Sequence, residues 1–203
     1  MEKAKTIFLS KLRDKTISRH EFRETACTLA EIIAHETLEH VETEKIDIET
    51  PIASAQGIKI KPHVILIPIL RSGITMLEPF LKYFKDATVG IVGLKRDEET
   101  AIAHMYYNNI PPIPDNHKII ILDPMIATGG TAISTLEILK KRGIKEKNII
   151  FASIISAPEG LETIRSDFPD ITILTAGIDD KLSKDKFIVP GLGDFGDRYF
   201  GTE

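Results

Sequence analysis

Asp123 and the loop Ala127-Thr128-Gly129-Gly130-Thr131 combine one carboxylate, two hydroxyls and a stretch of backbone that two glycines leave uncovered. The chemistry this suits is the binding of a phosphorylated ligand. Glycines let the main chain wrap closely and take positive φ, and the threonine hydroxyls add donors. A carboxylate would repel a phosphate, so Asp123 must face another part of the ligand, such as a sugar diol whose hydroxyls it can accept from. Phosphate plus diol describes a ribose phosphate. The plainer alternative is a tight connection in which the glycines only turn the chain and Asp123 only caps a helix. Neither a Walker lysine nor a G-x-G-x-x-G pattern is present to decide between them.

The elements around the loop favour the binding role. Lys118-Ile-Ile-Ile-Leu122 is short and β-branched, as a strand covered on both faces of a parallel sheet should be. Ile133 to Lys141 has helix-forming composition, with apolar residues at Ile133, Leu136 and Leu139. The loop therefore joins the carboxyl end of a strand to the start of a helix, where unpaired N–H groups and the helix dipole favour an anion.

The same strand, loop, helix pattern occurs earlier. Val64 to Leu70 reads as a buried strand, Arg71-Ser-Gly73 as its loop, and Met76, Leu77, Phe80 and Leu81 as an apolar helix, with Ala87 to Leu94 completing a βαβ unit. Loops after residues 70, 94 and 122 should then converge beyond the strand ends, where ligands bind in open α/β sheets. Ser18-Arg-His-Glu21 has capping-box spacing and opens a helix over about 19–39. Lys45 to Lys61 reads as a β-hairpin turning near Ala55-Gln-Gly57. Asn148 to Ile155 and Ile171 to Ala176 supply two more strands, with a helix between them begun by Pro158. Lys95 to Asn116 is charged, then tyrosine- and proline-rich, and reads as a surface flap with Met105, Tyr106 and Tyr107 as its packing residues. From Phe187 onward regular pattern stops.

Composition narrows the classes. A chain of 203 residues with 42% hydrophobic and 28% charged residues is expected to form one globular domain. The net charge of −4 argues against a nucleic acid as main partner, yet a small anion can still be held if Arg71, Lys95 and Arg96 converge. Val64 to Leu70 is far below the roughly 20 residues of a membrane helix. Cys27 is the sole cysteine and sits in the helical pattern as a small core or boundary residue. His20, His35 and His40 lie among charges and read as solvated, and no metal constellation forms. A charged amino terminus without a secretory core points to the cytoplasm.

Two separated stretches carry a family resemblance. Asp123-Pro-Met-Ile-Ala-Thr-Gly-Gly-Thr131 resembles the PRPP-binding loop of the uracil phosphoribosyltransferases, and Pro190-Gly-Leu-Gly-Asp-Phe-Gly-Asp-Arg-Tyr-Phe-Gly-Thr202 resembles their C-terminal uracil-binding segment. Pro68-Ile-Leu-Arg-Ser-Gly73, Arg96-Asp-Glu-Glu-Thr100 and Ser156-Ala-Pro-Glu-Gly160 match as well.

The resemblance implies an α/β type I phosphoribosyltransferase fold: a parallel β-sheet flanked by helices, with a small hood from the N-terminal hairpin and the C-terminal segment. It implies transfer of 5-phosphoribosyl from PRPP to uracil, giving UMP and pyrophosphate. Asp123, Asp194 and Arg96 would be the catalytic residues. PRPP would be held by Arg71, Arg96, Asp123, Pro124, Met125, Ile126, Ala127, Thr128, Gly129, Gly130, Thr131 and Asp194. Uracil would meet Phe187, Ile188, Gly193, Asp194 and Phe195, chiefly through backbone groups, in a slot beside Phe187. Mg²⁺ would arrive on the pyrophosphate rather than in a protein cage, and the Lys95 to Asn116 flap would be a mobile hairpin covering PRPP. GTP binding and a homo-oligomer, dimer or tetramer, belong to the same expectation. The alternatives are a phosphoribosyltransferase for another base or a pyrimidine-nucleotide-binding RNA regulator, which should lack the Pro190 to Thr202 ending, and a non-catalytic PRPP sensor, which should have an altered Asp123 or cation site.

Overall fold

A computed structural model describes residues 1–96 and 103–202. Two helices open the chain, α1 (Glu2–Arg13) and α2 (Arg19–Thr37). A hairpin of β1 (Thr43–Glu49) and β2 (Ser54–Ile60) follows, then β3 (His63–Leu70), a 3-10 turn, α3 (Leu77–Tyr83), β4 (Thr88–Val89), β5 (Ile91–Arg96) and β6 (Ala103–Asn109). Next come β7 (His117–Leu122), β8 (Met125–Ile126), α4 (Gly130–Lys141), β9 (Ile149–Ser156), α5 (Pro158–Asp167) and β10 (Thr172–Ile178). The chain closes with β11 (Lys181–Leu182), β12 (Ile188–Val189) and α6 (Phe195–Phe200).

The main sheet runs in the order β10-β9-β7-β3-β5-β6, with β4 beside β3 and β8 beside β9. Every pairing in it is parallel except β5 with β6. Covering both faces explains the unbroken aliphatic runs. In β3, Val64 and Leu66 join one core cluster while Ile65, Ile67 and Ile69 join the other; in β7, Ile120 and Leu122 part from Ile119 and Ile121 in the same way. Successive side chains point to opposite faces, so a strand reads as continuously apolar only when both faces are roofed. Burial of each such side chain stabilises by about 1.5–3 kcal/mol. The first cluster packs beneath α1, α2 and α6, and the second beneath α4 and α5.

Helix α2 starts where the capping box places it: Ser18 accepts from the Glu21 N–H while Glu21 accepts from the Ser18 N–H. Several boundaries depart from the sequence reading. The hairpin turns at residues 50–53, where the Thr50 hydroxyl accepts from the Ile52 and Ala53 N–H groups, and Ala55-Gln-Gly57 lies inside the β2 ladder. Gly57 serves there as the gap over which Ile46 and Ile48 lie. Met105, Tyr106 and Tyr107 are exposed on the hairpin, where Tyr106 and Tyr107 lie over Gly93 of the paired strand. Ile110, in the segment expected to stay clear of the core, is buried. Helix α1, which the sequence reading left unassigned, buries Lys5, Leu9 and Leu12 along one stripe.

The hairpin β1–β2 is rooted beside the amino-terminal ends of β3 and β7, since Lys61 N–H bonds to Glu42, and Asn116 bonds to Lys61 and to His63. That is the end of β3 remote from Arg71. The C-terminal segment is met instead by the end of α1 and the start of α2, through Arg13, Asp14 and Arg19, the contact expected from the N-terminal hairpin. Regular structure also continues past Phe187: β11 pairs antiparallel with β12, and α6 follows.

Candidate active site

The loop after β7 closes as its composition requires. Gly129 takes φ +83° at the N-cap of α4 and, as a glycine, brings no side-chain cap of its own. The first intrahelical bond runs from Ile133 N–H to Gly129 C=O at 2.9 Å, so Gly130, Thr131 and Ala132 N–H groups are left pointing out of the helix start. They line a hollow of about 70 Å³ with Asp123, Met125, Ala127 and Thr128. That is far below the several hundred Å³ of a whole-ligand pocket, and matches a single anionic group.

The loop is held from beneath by the segment after β9. Ala157 N–H donates to Ile126 C=O at 2.8 Å, and both Ile154 and Ile155 N–H donate to Pro124 C=O at 3.0 Å. A Cβ on Gly160 would run into the Ala127 carbonyl oxygen and lie 2.9 Å from Ile126, and one on Gly129 would lie 2.8 Å from the Gly160 carbonyl. Only glycines allow the two loops this close. Pro124 and Ile126 are thus buried supports whose carbonyls are already used, while Thr128, Gly130 and Thr131 remain partly open.

Asp123 sits at the carboxyl end of β7. The residue is partly covered, but its carboxyl is hemmed in by protein atoms, and this burial pushes it up to about 7 against one opposing contact, the Met125 N–H at 3.4 Å. A carboxyl poised there gains from any hydroxyl donor that a ligand brings.

Two more segments reach the same end of the sheet. The loop after β3 is drawn in by Gly73, where a Cβ would collide with the Leu122 carbonyl at the end of β7. The C-terminal segment meets it: a Cβ on Gly196 would lie 2.8 Å from Ser72 Oγ, 3.2 Å from Asp194 Oδ1 and 3.5 Å from Arg71 Nη2. Arg71 is half-exposed; its Nη2 stands 3.2 Å from Asp197 Oδ1, its Nη1 donates to Thr202 Oγ1 at 3.3 Å, and its guanidinium lies over the Phe200 ring. Asp194 caps α6, accepting from the Asp197 N–H at 2.9 Å through Oδ1. Lys95 is exposed on β5. The guanidinium of Arg96 and the Asp97-Glu-Glu-Thr100 part of the matched segment lie outside the described residues, as does the tip of the β5–β6 hairpin.

The C-terminal segment presents backbone rather than side chains. Ile188 is buried, and its pairing partner Leu182 gives its N–H to Glu159 Oε1 at 2.8 Å instead of across the ladder. The pair is therefore of the non-hydrogen-bonded kind, and the Ile188 N–H and C=O point away from β11. Gly193 is exposed with φ +80°. Phe195 opens α6, so its N–H has no intrahelical acceptor, while its ring is only 1% exposed and packs on Phe22 and Tyr199 at 5.3 and 5.9 Å between centroids. The ring points into the core, and only the backbone of Phe195 is available to a ligand. Phe187 keeps an exposed ring beside this backbone.

Sequence reasoning missed three parts of this arrangement. The pairing of Arg71 with Asp197 and Thr202 joins residues too far apart in the chain for spacing to show. Arg13 and Asp179 form a paired contact under Gly191. Helix α6 carried a local signal that could have found it, an Asp194 cap three residues before Asp197 with Gly201 at the far end.

Comparison with known proteins identifies the family and the fold. The sequence profile of the uracil phosphoribosyltransferase family matches residues 2–202. A curated uracil phosphoribosyltransferase of Limosilactobacillus fermentum is 41% identical over 196 residues, covering 96% of this chain and 93% of that one. A solved structure of a protein from Aquifex aeolicus superimposes with a TM-score of 0.88 at 33% identity, covering 98% of this chain and 95% of that one. A purine phosphoribosyltransferase of Pyrococcus horikoshii, at 17% identity and a TM-score of 0.50 over 78% of this chain and 83% of its own, shares the fold. The chain belongs to the uracil phosphoribosyltransferase family.

Proposed function

We propose that this chain transfers 5-phosphoribosyl from PRPP to a ring nitrogen of uracil, giving UMP and pyrophosphate, in the cleft between the β7–α4 loop and the C-terminal segment. The carrying observation is the hollow at the start of α4, lined by the N–H groups of the helix start with Asp123 on its rim. Family membership over nearly the whole chain supports the same reading.

In this proposal the Gly130, Thr131 and Ala132 N–H groups hold the 5-phosphate, and Asp123 accepts from the ribose hydroxyls. Arg71 leaves Asp197 to receive the pyrophosphate, where a guanidinium fork matches the charge that grows as the bond to the ribose carbon breaks. Oδ1 of Asp194 is engaged by the helix cap, which leaves its other oxygen for the ribose and for positive charge developing on the ring. The backbone of Ile188, Gly193 and Phe195 orients uracil, and Arg96 completes the cation set.

Among the described residues no three His, Cys, Asp or Glu side chains gather into a metal cage. The isolated carboxylates Asp123 and Asp194 fit a Mg²⁺ that is carried mainly by ligand oxygens. Such an ion would supply charge neutralisation on the pyrophosphate.

Among the described residues no helix is long and apolar enough to cross a membrane, and we place the enzyme in the cytoplasm as a homo-oligomer. A two-stranded hairpin is marginally stable alone, and β1–β2 exposes Ile48 on one face, Ile58 on the other and Ile52 at its turn, apolar area that a second copy gripping the hairpin would cover. Sedimentation tests that point. The activity is tested by incubating the chain with labelled uracil, PRPP and Mg²⁺: UMP and pyrophosphate should form in equal amounts, and a folded protein that makes neither overturns the proposal.

A further inference from the structure

The turn inside the segment that would read the base is fixed by side chains from elsewhere in the fold. Gly191 takes φ +65° in a turn so tight that a Cβ there would strike the Ile188 carbonyl oxygen. Its peptide groups are seized from both sides. The Gly191 N–H donates to Asp179 Oδ2 at 2.7 Å, and the Gly191 C=O accepts from Arg13 Nη1 at 2.9 Å. Arg13 and Asp179 in turn grip each other, with Nη1 on Oδ2 at 2.7 Å and Nη2 on Oδ1. The next carbonyl, of Leu192, accepts from Arg198 Nη1 at 2.8 Å, and the same guanidinium bonds the Leu12 and Asp14 carbonyls at 2.5 and 2.7 Å.

We propose that Arg13 and Asp179 are positioning residues for base selectivity, acting by locking the Gly191 peptide so that the following Gly193 presents its backbone in one orientation. The geometry is specific to that task. Asp179 ends β10, with its N–H on the Ser156 carbonyl at 2.9 Å, so it is tied to the rigid sheet. Its side chain is almost wholly covered. Burial alone would raise that carboxyl, but the Arg13 guanidinium and the Gly191 N–H outweigh burial and hold it below the usual carboxylate range. Arg13 ends α1, whose Leu9 and Leu12 anchor it in the core. A planar fork is required, because one guanidinium must reach both carboxylate oxygens and a carbonyl. Leu192 is buried as well, so Gly193 is the first residue after the clamp that stands open. The clamp fixes the chain on its way into Leu192, whose carbonyl Arg198 holds in turn, so the Leu192–Gly193 peptide arrives beside the base position in one orientation.

This inference rests on the proposed role of the C-terminal segment as the base reader. It predicts that Arg13→Lys, which keeps the charge opposite Asp179 but loses the fork, raises KM for uracil at least tenfold. KM for PRPP should stay within twofold, and the preference for uracil over cytosine should shrink at least tenfold. Asp179→Asn should behave in the same direction. Unchanged uracil KM and unchanged base preference in a folded Arg13→Lys protein overturn the inference, as do equal losses for PRPP and uracil. A lowered melting temperature with normal selectivity reduces the pair to a structural role and also overturns it. Should both variants fail to fold, amide exchange in the unmutated protein decides: the Gly191 amide should be protected without ligand, while those of Gly193 and Phe195 become protected only when uracil or UMP is added. Rapid exchange at Gly191 sinks the clamp. An unmutated protein that forms no UMP counts against the proposed reaction instead, whereas UMP formation with an insensitive Arg13→Lys counts against the clamp alone.

Discussion

Arg71 Nη2 lies 3.2 Å from Asp197 Oδ1, and Thr202 bridges the two, donating to Asp197 Oδ1 at 2.6 Å and accepting from Arg71 Nη1 at 3.3 Å. The cation proposed for pyrophosphate is thus held by the C-terminal segment. The pair is well exposed on the arginine side, so it is worth about 0.2–1 kcal/mol. Asp197→Asn should therefore lower KM for PRPP by no more than about fivefold, most clearly at low salt. Initial-rate kinetics at two ionic strengths measure this, and a raised KM would show that Asp197 helps the ligand rather than competing with it.

Replacing Arg71 itself tests the leaving-group contact. Arg71→Lys keeps the charge but not the fork, and loss of a charge-assisted contact that strengthens in the transition state should cost about 1.5–3 kcal/mol in kcat/KM. A rate equal to that of the unmutated chain would remove Arg71 from the site.

Asp123 links function to pH-dependent stability. Its folded value of about 7 exceeds the ordinary 3.8, so the folded chain binds the proton more tightly than the unfolded chain. The stabilising effect of protonation is present below pH 4 and is lost as pH rises to about 7, at a cost of up to about 3–4 kcal/mol. Asp123→Asn, which cannot ionise, should be no more stable than the unmutated protein at pH 4 and about 2–4 kcal/mol more stable at pH 8, while losing turnover. Denaturant melts across that range check the trend; a difference independent of pH would mean that the carboxyl is well solvated.

Gly160 is expected to act on PRPP without touching it. A Cβ at this position collides with the Ala127 carbonyl, so Gly160→Ala should shift the phosphate loop and cost about 1–3 kcal/mol of stability. KM for PRPP should rise while KM for uracil changes little. Two-substrate kinetics on the folded variant would expose the opposite pattern.

Phe195→Ala separates ring from backbone. The ring is core, so its removal should destabilise by about 3–5 kcal/mol. Uracil carries a ring N–H beside carbonyls where cytosine carries a ring acceptor beside an amino group, and backbone groups cannot swap roles. Cytosine should remain the poorer substrate by tens-fold or more, at about 1–3 kcal/mol for each unpaired group. Equal kcat/KM for the two bases in the unmutated chain would contradict backbone reading.

The amino-acid sequence by itself determined the local events. Ile119 to Leu122 had to be a strand buried on both faces, and Ser18 with Glu21 had to start α2. Gly129 and Gly130 had to turn the chain into α4, because each of these depends on neighbours a few residues apart. The turn of the first hairpin slipped to Thr50 because a hydroxyl capping two N–H groups was stronger than the flexibility of Gly57. Only the tertiary structure decided which groups face a ligand. Phe195 could have been a pocket wall, and became core once Phe22 and Tyr199 enclosed it. Arg71 could have stood open, and is paired because α6 brings Asp197 across from the far end of the chain. Asp123 is an ordinary carboxylate in sequence and an unusual one in the fold, since desolvation depends on every atom packed around it and not on its neighbours in the chain.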